Sequence, residues 1–437
     1  MSKPEQGGET MKLELGKIEI KDIIFANNTE IKDGVLAINR QELISVLAEP
    51  RIKELTIELA KPGDRIRIIP VKDVIEPRVK VEGPGGIFPG FIAGEEIVGS
   101  GKTHALKGMA VVTTGNIVGF QEGIIDMAGV GADYTPFSKL LNVVISCEVS
   151  AGLPQHEHEA VLRMVGLKAA AYLGEAGREI KPDQVVCYQH KPFYEAINDY
   201  PDLPRVGYIY MLQSQGLLHD TYVYGVDAKE ILPTLISPTE VMDGAIISGN
   251  CVSACDKNAT YFHQNNPVIE DLYRYHGREY NFIGTIVTNE NVTLADKERS
   301  SSFTARLAEQ LKLEAAIVSE EGFGNPDADL IMNCNKLEEK GIKTVLITDE
   351  YAGRDGASQS LADASKKANA VVTAGNANQL ITLPPMEQTI GEQSLADVIA
   401  GGFAGSLKED GSIEVEIQAI TGSTNELGFT KMTARSY

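Results

Sequence analysis

FIGTIVTNENVTLADKERSSSFTARLAEQLKLEAAIVSEEGFGNPDADLIMNCNKLEEKGIKTVLIT, residues 282–348, switches repeatedly between two periods. The runs FIGTIV (282–287), AAIVS (315–319) and KTVLIT (343–348) are short, apolar and rich in β-branched residues, and NAVVT (369–373) adds a fourth. Such runs read as buried strands. After the first, Thr293-x-x-Asp296 opens a helix in the manner of a capping box, with Phe303, Leu307 and Leu311 on one face. After the second, Asn325-Pro326 supplies a cap and a first-turn proline. Leu330, Cys334 and Leu337 make that helix's apolar stripe, and Gly341 ends it. Strands separated by helices predict a parallel sheet with helices packed on its faces.

Parallel sheets bind ligands beyond the carboxyl ends of their strands. Those ends carry Thr288-Asn289-Glu290, Ser319-Glu320-Glu321-Gly322, Asp349-Glu350-Tyr351 and Gly375-Asn376. Turns and helix caps account for part of this polarity. The adjacent Glu320 and Glu321 are different, because two carboxylates are costly to crowd unless an ammonium or a partner's cation relieves them. Asn289, Glu290, Glu320 and Glu321 are therefore candidate substrate-site residues.

Outward from this region the chain divides into segments 1–10, 11–150, 151–250 and 251–437. The first is a polar extension, and MKLELGKIEI at Met11 reads as a natural start. Segment 11–150 is β-rich: LELGKIEI, GVLAIN, ELTIELA, RIRIIPV and RVKVEG are short and punctuated by Gly and Pro. It predicts a barrel or sandwich, followed by irregular Gly-rich chain through 84–136. In 151–250, HEHEAVLRMVGLKAAAYLGEAG has helical spacing and a Gly stop, VVCY and RVGYIYML read as buried strands, and LPTLIS is a further short one. The expected class is α+β/α/β: an N-terminal β-rich domain followed by α/β regions with a parallel sheet.

Formal charge is −21, from 40 basic and 61 acidic residues, and no Lys/Arg run interrupts the acidity. Nucleic acid and anionic membrane, which need a basic face, are not expected partners. No apolar stretch approaches the roughly 20 residues that span a bilayer, and the first ten residues lack the apolar core of a secretory signal. Five cysteines, an odd number, suit a reducing cytoplasm better than a disulfide framework. Cys147, Cys187 and Cys334 fall on apolar stripes or strands and read as core. GSGKT (99–103) is not a phosphate loop, because Glu96 stands where that pattern needs its first glycine. His156-Glu157-His158 lacks zinc-peptidase spacing and reads as the exposed start of a helix. His219-Asp220 reads as a hydrogen-bonded turn or a proton-handling pair.

One dipeptide carries distinct chemistry. In SGNCVSACDKNATYF (248–262), the Cys251 thiol can attack the carbonyl of Asn250, turning the amide into a thioester. β-Elimination across Cys251 then gives dehydroalanine, which tautomerises and hydrolyses to an N-terminal pyruvoyl group, an electrophilic ketone that acts as an electron sink for an amine. Read from the residues alone, Cys251 is equally a small buried hydrophobe. Cys251-x-x-x-Cys255 lacks the further ligands of a zinc site, so no metal is expected. Cys255 is the one other thiol near the bond and a candidate substrate-site residue.

Longer motifs add to this. VYGVDAKEILPTLISPTEVMDGAIISGNCVSACDKNATY (223–261) resembles the processing region of the component B proproteins of glycine, sarcosine and betaine reductases. VIEPRVKVEGPGGIFPG (74–90), HALKGMAVVTTGNIVGFQEGIIDM (104–127), NENVTLADKERSS (289–301), SEEGFGNPDADLIMNC (319–334), LITDEYAGRDGASQSLAD (346–363) and VEIQAITGSTNELGFTK (415–431) resemble the same family. The resemblance implies cleavage between Asn250 and Cys251, with the pyruvoyl cofactor derived from Cys251. It implies a substrate-activating subunit for reductive deamination of glycine, or of sarcosine or betaine. The expected protein partners are a selenocysteine-containing component B subunit, selenoprotein A and, indirectly, the acetyl-phosphate-forming component C. D-proline reductase proproteins and an uncleaved amine-binding scaffold are the alternatives. The aromatic residues Tyr261, Phe262, Tyr273, Tyr275 and Tyr280 read as packing rather than as a cation cage.

Overall fold

The computed structural model describes residues 9–427, except 120, 220, 250–253 and 255, together with the strand Arg435–Ser436. The bond Asn250–Cys251 and the thiol of Cys255 therefore lie outside the described residues, as does Asp220.

The expected parallel sheet forms, with a member that local reading does not reveal. Its order is Thr234–Ile236, Asn281–Asn289, Arg205–Leu212, Ala315–Ser319, Lys343–Glu350, Val371–Asn376, Arg435–Ser436. The middle five pair in parallel, and the two edge strands run antiparallel. Arg205–Leu212 lies between Asn281–Asn289 and Ala315–Ser319, so a strand from before residue 250 sits at the centre of a sheet built largely from residues after 250. Seven of its eight residues are buried, as its apolar run requires.

Beside a small three-stranded sheet of Asp22–Phe25, Val35–Ile38 and Glu30–Lys32, the β-rich part is two larger open mixed sheets, neither closed into a barrel. One has the order Gln184–His190, Met11–Glu19, Gly101–Lys107, Arg78–Glu82. The other runs Gly123–Asp126, Ile66–Ile75, Met109–Thr114, Leu141–Val149, Ile52–Ala60, with Gln388–Gly391 added in parallel to Ile66–Ile75. Sheets thus cross the divisions at 150 and 250. The segment 84–136, expected to be irregular, contributes three of these strands, since GKTHALK and MAVVTT supply enough apolar pairing to outweigh their glycines. The helix Gln155–Glu175 packs against both sheets, and Gly174 permits it: a Cβ there would stand 2.1 Å from the carbonyl oxygen of Arg78.

Several local expectations need correction. Helix Leu294–Gln310 takes its cap from Thr293, as read, but its buried face is Ser300, Ser301, Thr304, Ala305 and Ala308, with Phe303 and Leu307 only half-buried. Small residues let the neighbouring helix Asn325–Glu339 approach, and Lys297 on this face pairs with its Asp329. That second helix begins one residue earlier than the Asn-Pro reading. Its cap is Gly324, at φ +80°, whose N–H donates to the Asp327 carboxylate at 2.8 Å. Leu330, Cys334 and Leu337 form its buried stripe, and Lys340–Gly341 ends it. The connection 351–370 contains no helix. VVCY is only partly buried: it lies on an edge strand with Val185 and Cys187 exposed, Val186 half-buried and Tyr188 in the core, while Cys147 and Cys334 are core. His156 is exposed at its helix start and His158 half-buried. His219 pairs with Asp227.

Candidate active site

The carboxyl ends of the parallel strands converge on a buried polar chamber. Glu290, Glu320 and Glu321, each nearly inaccessible, meet there. The Glu321 N–H donates to Glu290 Oε1 at 2.9 Å. Glu321 itself accepts from the Gln213 N–H (3.0 Å), the Thr221 hydroxyl (3.1 Å) and the Asn258 N–H (3.1 Å). The Thr348 hydroxyl donates to Glu320 Oε2 at 2.7 Å, and the Thr424 hydroxyl to Asp349 at 3.2 Å. Neutral donors hold these acids. Among the described residues no lysine or arginine forms an ion pair with Glu290, Glu320 or Glu426. Burial first, and then neighbouring carboxylates, push Glu290 and Glu320 well above the usual carboxylate range.

Asn289 plays a different part. Its amide donates to the Ala228 and Ile231 carbonyls at 3.0 Å each and its oxygen accepts from Ser300, so it pins the 228–231 segment to the sheet.

Sequence reading missed the other half of the chamber, which comes from 256–264 and 423–427. The Asn425 amide donates to Asn258 Oδ1 at 3.0 Å, packing Ser423–Leu427 against 257–258. Among the described residues neither carboxylate oxygen of Glu426 nor Asn258 Nδ2 has a hydrogen-bond partner at full geometry, although the neighbouring Asn258 amide favours the Glu426 carboxylate. The Tyr210 hydroxyl and His263 Nδ1 are 2.8 Å apart, while His263 Nε2 has no partner. Complete burial pulls His263 down to about 3, so it is a neutral imidazole near pH 7. The only advance signal for Glu426 is a glutamate inside the otherwise small and polar TGSTNEL.

The chain on either side of 250–251 is clamped beside this chamber. The Ser248 N–H donates to Thr260 Oγ1 at 3.0 Å. The Thr260 hydroxyl and N–H donate to the buried Asp73 carboxylate at 2.6 and 2.9 Å, and burial raises Asp73 to about 6. Ser248 and Thr260, the described residues on either side of 250–251, are thus tied together. Orphaned buried polar atoms of the chamber, on Asn258, His263 and Glu426, fit a further polar group derived from this segment.

The titration of Glu426 gives a testable sign. Burial, then Glu321, raise it well above its usual value, so between the unfolded and folded pKa the native state holds more protons than the unfolded one. Stability from this group is full at acid pH and lost as pH rises through the folded pKa. Glu426→Gln should therefore raise Tm by a few degrees at pH 8 and change it little near pH 5. Equal shifts at both pH values in calorimetric scans would refute this.

The family model for glycine/sarcosine/betaine reductase component B subunits matches residues 11–435. The chain is 68% identical to glycine reductase complex component B subunits alpha and beta of Acetoanaerobium sticklandii, covering 98% of this chain and all of that one. It is 65% identical to the protein of the same description from Peptoclostridium acidaminophilum, and 55% identical to sarcosine reductase complex component B subunit alpha of that organism, each over 98% of this chain and all of the relative. No solved structure matches the chain. Among the described residues no helix is long and apolar enough to cross a membrane. Sequence motifs and full-length relatives agree, and the chain belongs to the family of glycine/sarcosine/betaine reductase component B subunits.

Proposed function

We propose that this oxidoreductase subunit is a proprotein that cleaves itself between Asn250 and Cys251, and that the pyruvoyl group so formed makes it the substrate-activating part of a glycine reductase. The observation that carries this reading is the tie between Ser248 and Thr260. Ser248, Thr260 and Asp73 hold both flanks of the bond together at the foot of a chamber of buried acids. Two relatives spanning the same length are described as subunits alpha and beta, which agrees with one chain yielding two pieces.

A pyruvoyl carbonyl would supply an electrophile that draws electrons from a substrate amine. Glu290, Glu320 and Glu426, whose protonated forms burial favours, would keep or pass protons while excluding water. His263, a neutral imidazole bonded to Tyr210, is the remaining proton-handling group. Cys255, Glu320, Glu321 and Glu290 remain the proposed substrate-site residues, whereas Asn289 acts through the 228–231 segment. The electron-rich nucleophile comes from elsewhere, since the chain contains no selenocysteine. A selenocysteine-containing component B subunit and selenoprotein A would supply it, with component C taking the product to acetyl phosphate. Glycine is the favoured substrate, given greater identity to glycine than to sarcosine reductase components.

Intact mass under denaturing conditions tests the reading. Cleavage predicts pieces of 250 and 437 − 250 = 187 residues, the second beginning with pyruvoyl, and Cys251→Ala predicts a single chain. An active preparation with one chain and an alkylatable Cys251 would overturn it.

A further inference from the structure

Beside the chamber, between the end of strand Lys343–Glu350 and the start of helix Asn325–Glu339, lies a cavity of about 150 Å³. Its inner wall is made by Asp327 and Asp349, each only 2% exposed. Phe323 and Tyr351 form another wall, their rings stacked with centroids 3.4 Å apart and planes 11° apart. Gln359 and Ser360, from the non-helical connection 351–370, close the outside. No lysine or arginine lines it. We propose that this cavity is the binding pocket for the substrate's ammonium group, selective for a small primary-amine zwitterion such as glycine.

Three observations support it. The first is chemical. Asp327 accepts from the Gly324 and Ala362 N–H groups, and burial and Asp256 favour the protonated form of Asp349. An N–H-bearing cation entering here would offset that burial and gain charge-assisted hydrogen bonds, while the aromatic wall adds a face for the same cation. The Gln359 amide is a donor for a carboxylate at the other end, beside the Ser360 hydroxyl, which donates to Glu350 at 3.1 Å. The second is size. The cavity, about 150 Å³, has room for a two-carbon amino acid. A quaternary ammonium has no N–H to give the aspartates. The third is position. The Tyr351 hydroxyl reaches toward Asp256 at 3.5 Å, and Asp256 lies five residues after Cys251. An amine in this cavity is thus next to the loop that the proposed function makes reactive.

The assignment rests on that proposed function for the identity of the substrate, but its test does not need cleavage. Glycine and betaine are titrated calorimetrically into the wild-type protein, into Asp349→Asn and into Tyr351→Leu, each checked for folding by circular dichroism and for cleavage by mass. We expect saturable glycine binding, weakened about tenfold or more by Asp349→Asn and less by Tyr351→Leu, with betaine weaker than glycine throughout. Glycine binding that is sensitive to Asp349→Asn in uncleaved protein would keep the pocket and remove the pyruvoyl reading. Cleaved wild-type protein that fails to bind glycine, or a folded Asp349→Asn that binds as tightly as wild type, would overturn the pocket and leave that reading standing.

Discussion

Arg78→Met is expected to cost about 3–5 kcal/mol, the range for removing one partner of a buried ion pair. Arg78 is 1% exposed and serves four partners at once. It bonds the Glu76 carboxylate at 2.8 Å, the Met242 carbonyl at 2.5 Å, the Gln264 carbonyl at 2.9 Å and the Asn265 side chain at 3.2 Å. Met242 lies before residue 250 and Gln264 after it, so this one guanidinium ties the segments on both sides of residue 250 to the β-rich sheet. Methionine fills similar volume but leaves the Met242 and Gln264 carbonyls without this donor, while Asn265 Oδ1 keeps Lys107 at 2.7 Å. Glu76 adds a pH signature. Burial alone would raise its carboxyl, yet Lys107 and Arg78 hold it below the usual value. A depressed carboxyl contributes stability above its unfolded pKa and loses it as pH falls through the folded one. The penalty of Arg78→Met should thus be largest near pH 7 and shrink in acid. Arg78→Lys, keeping charge but losing the planar fork, should fall between. Urea midpoints of the three proteins at pH 7 and pH 4.5 decide it, and a loss below 1 kcal/mol at pH 7 would sink the argument.

What the sequence made legible was local. Thr293 caps its helix, Leu330, Cys334 and Leu337 face the core, and the four strands of the C-terminal region form where their apolar runs stand. Each depends on neighbours within a turn or on the period of a few residues. Placement of Arg205–Leu212 between two strands from later in the chain depended on parallel pairing across more than seventy residues, for which no local pattern exists. Helix Leu294–Gln310 misled for a related reason: its large apolar residues suggested the inner face, but a close helix partner selected the small one.

The candidate site divided in the same way. Glu290, Glu320 and Glu321 were visible because strand ends are visible. Their burial was not, nor were Asp73, Thr260, His263 and Glu426, which join them only through tertiary contact. The cavity at Asp327 and Asp349 was hidden further, because its outer wall comes from 359–360, in a connection that alternation with helices had misassigned.

Cleavage at Asn250–Cys251 is expected to leave the two pieces inseparable without denaturant. Arg205–Leu212 belongs to the first piece and pairs in parallel along its whole length with Asn281–Asn289 of the second, and over five residues with Ala315–Ser319. Gln388–Gly391 of the second piece returns the exchange by pairing with Ile66–Ile75 of the first. Side chains repeat the pattern: the Asn281 amide donates to the Ala196 and Asp199 carbonyls, His190 meets the Ile283 carbonyl at 2.8 Å, and Thr260 bonds Asp73. Each piece alone would expose the cores that Tyr208, Tyr210 and Leu212 share with Phe282 and Val287. Obligate interfaces of this kind resemble a domain core cut in half. Gel filtration of cleaved protein at neutral pH should give one peak containing both pieces, stable on dilution, and they should part only in the urea range where the fold itself is lost. Resolution of the pieces in native buffer would show that these shared strands do not hold them together. If they stay joined, the shared strands and not the peptide bond at 250–251 keep Glu321, Asp73 and Thr260 in their places after cleavage.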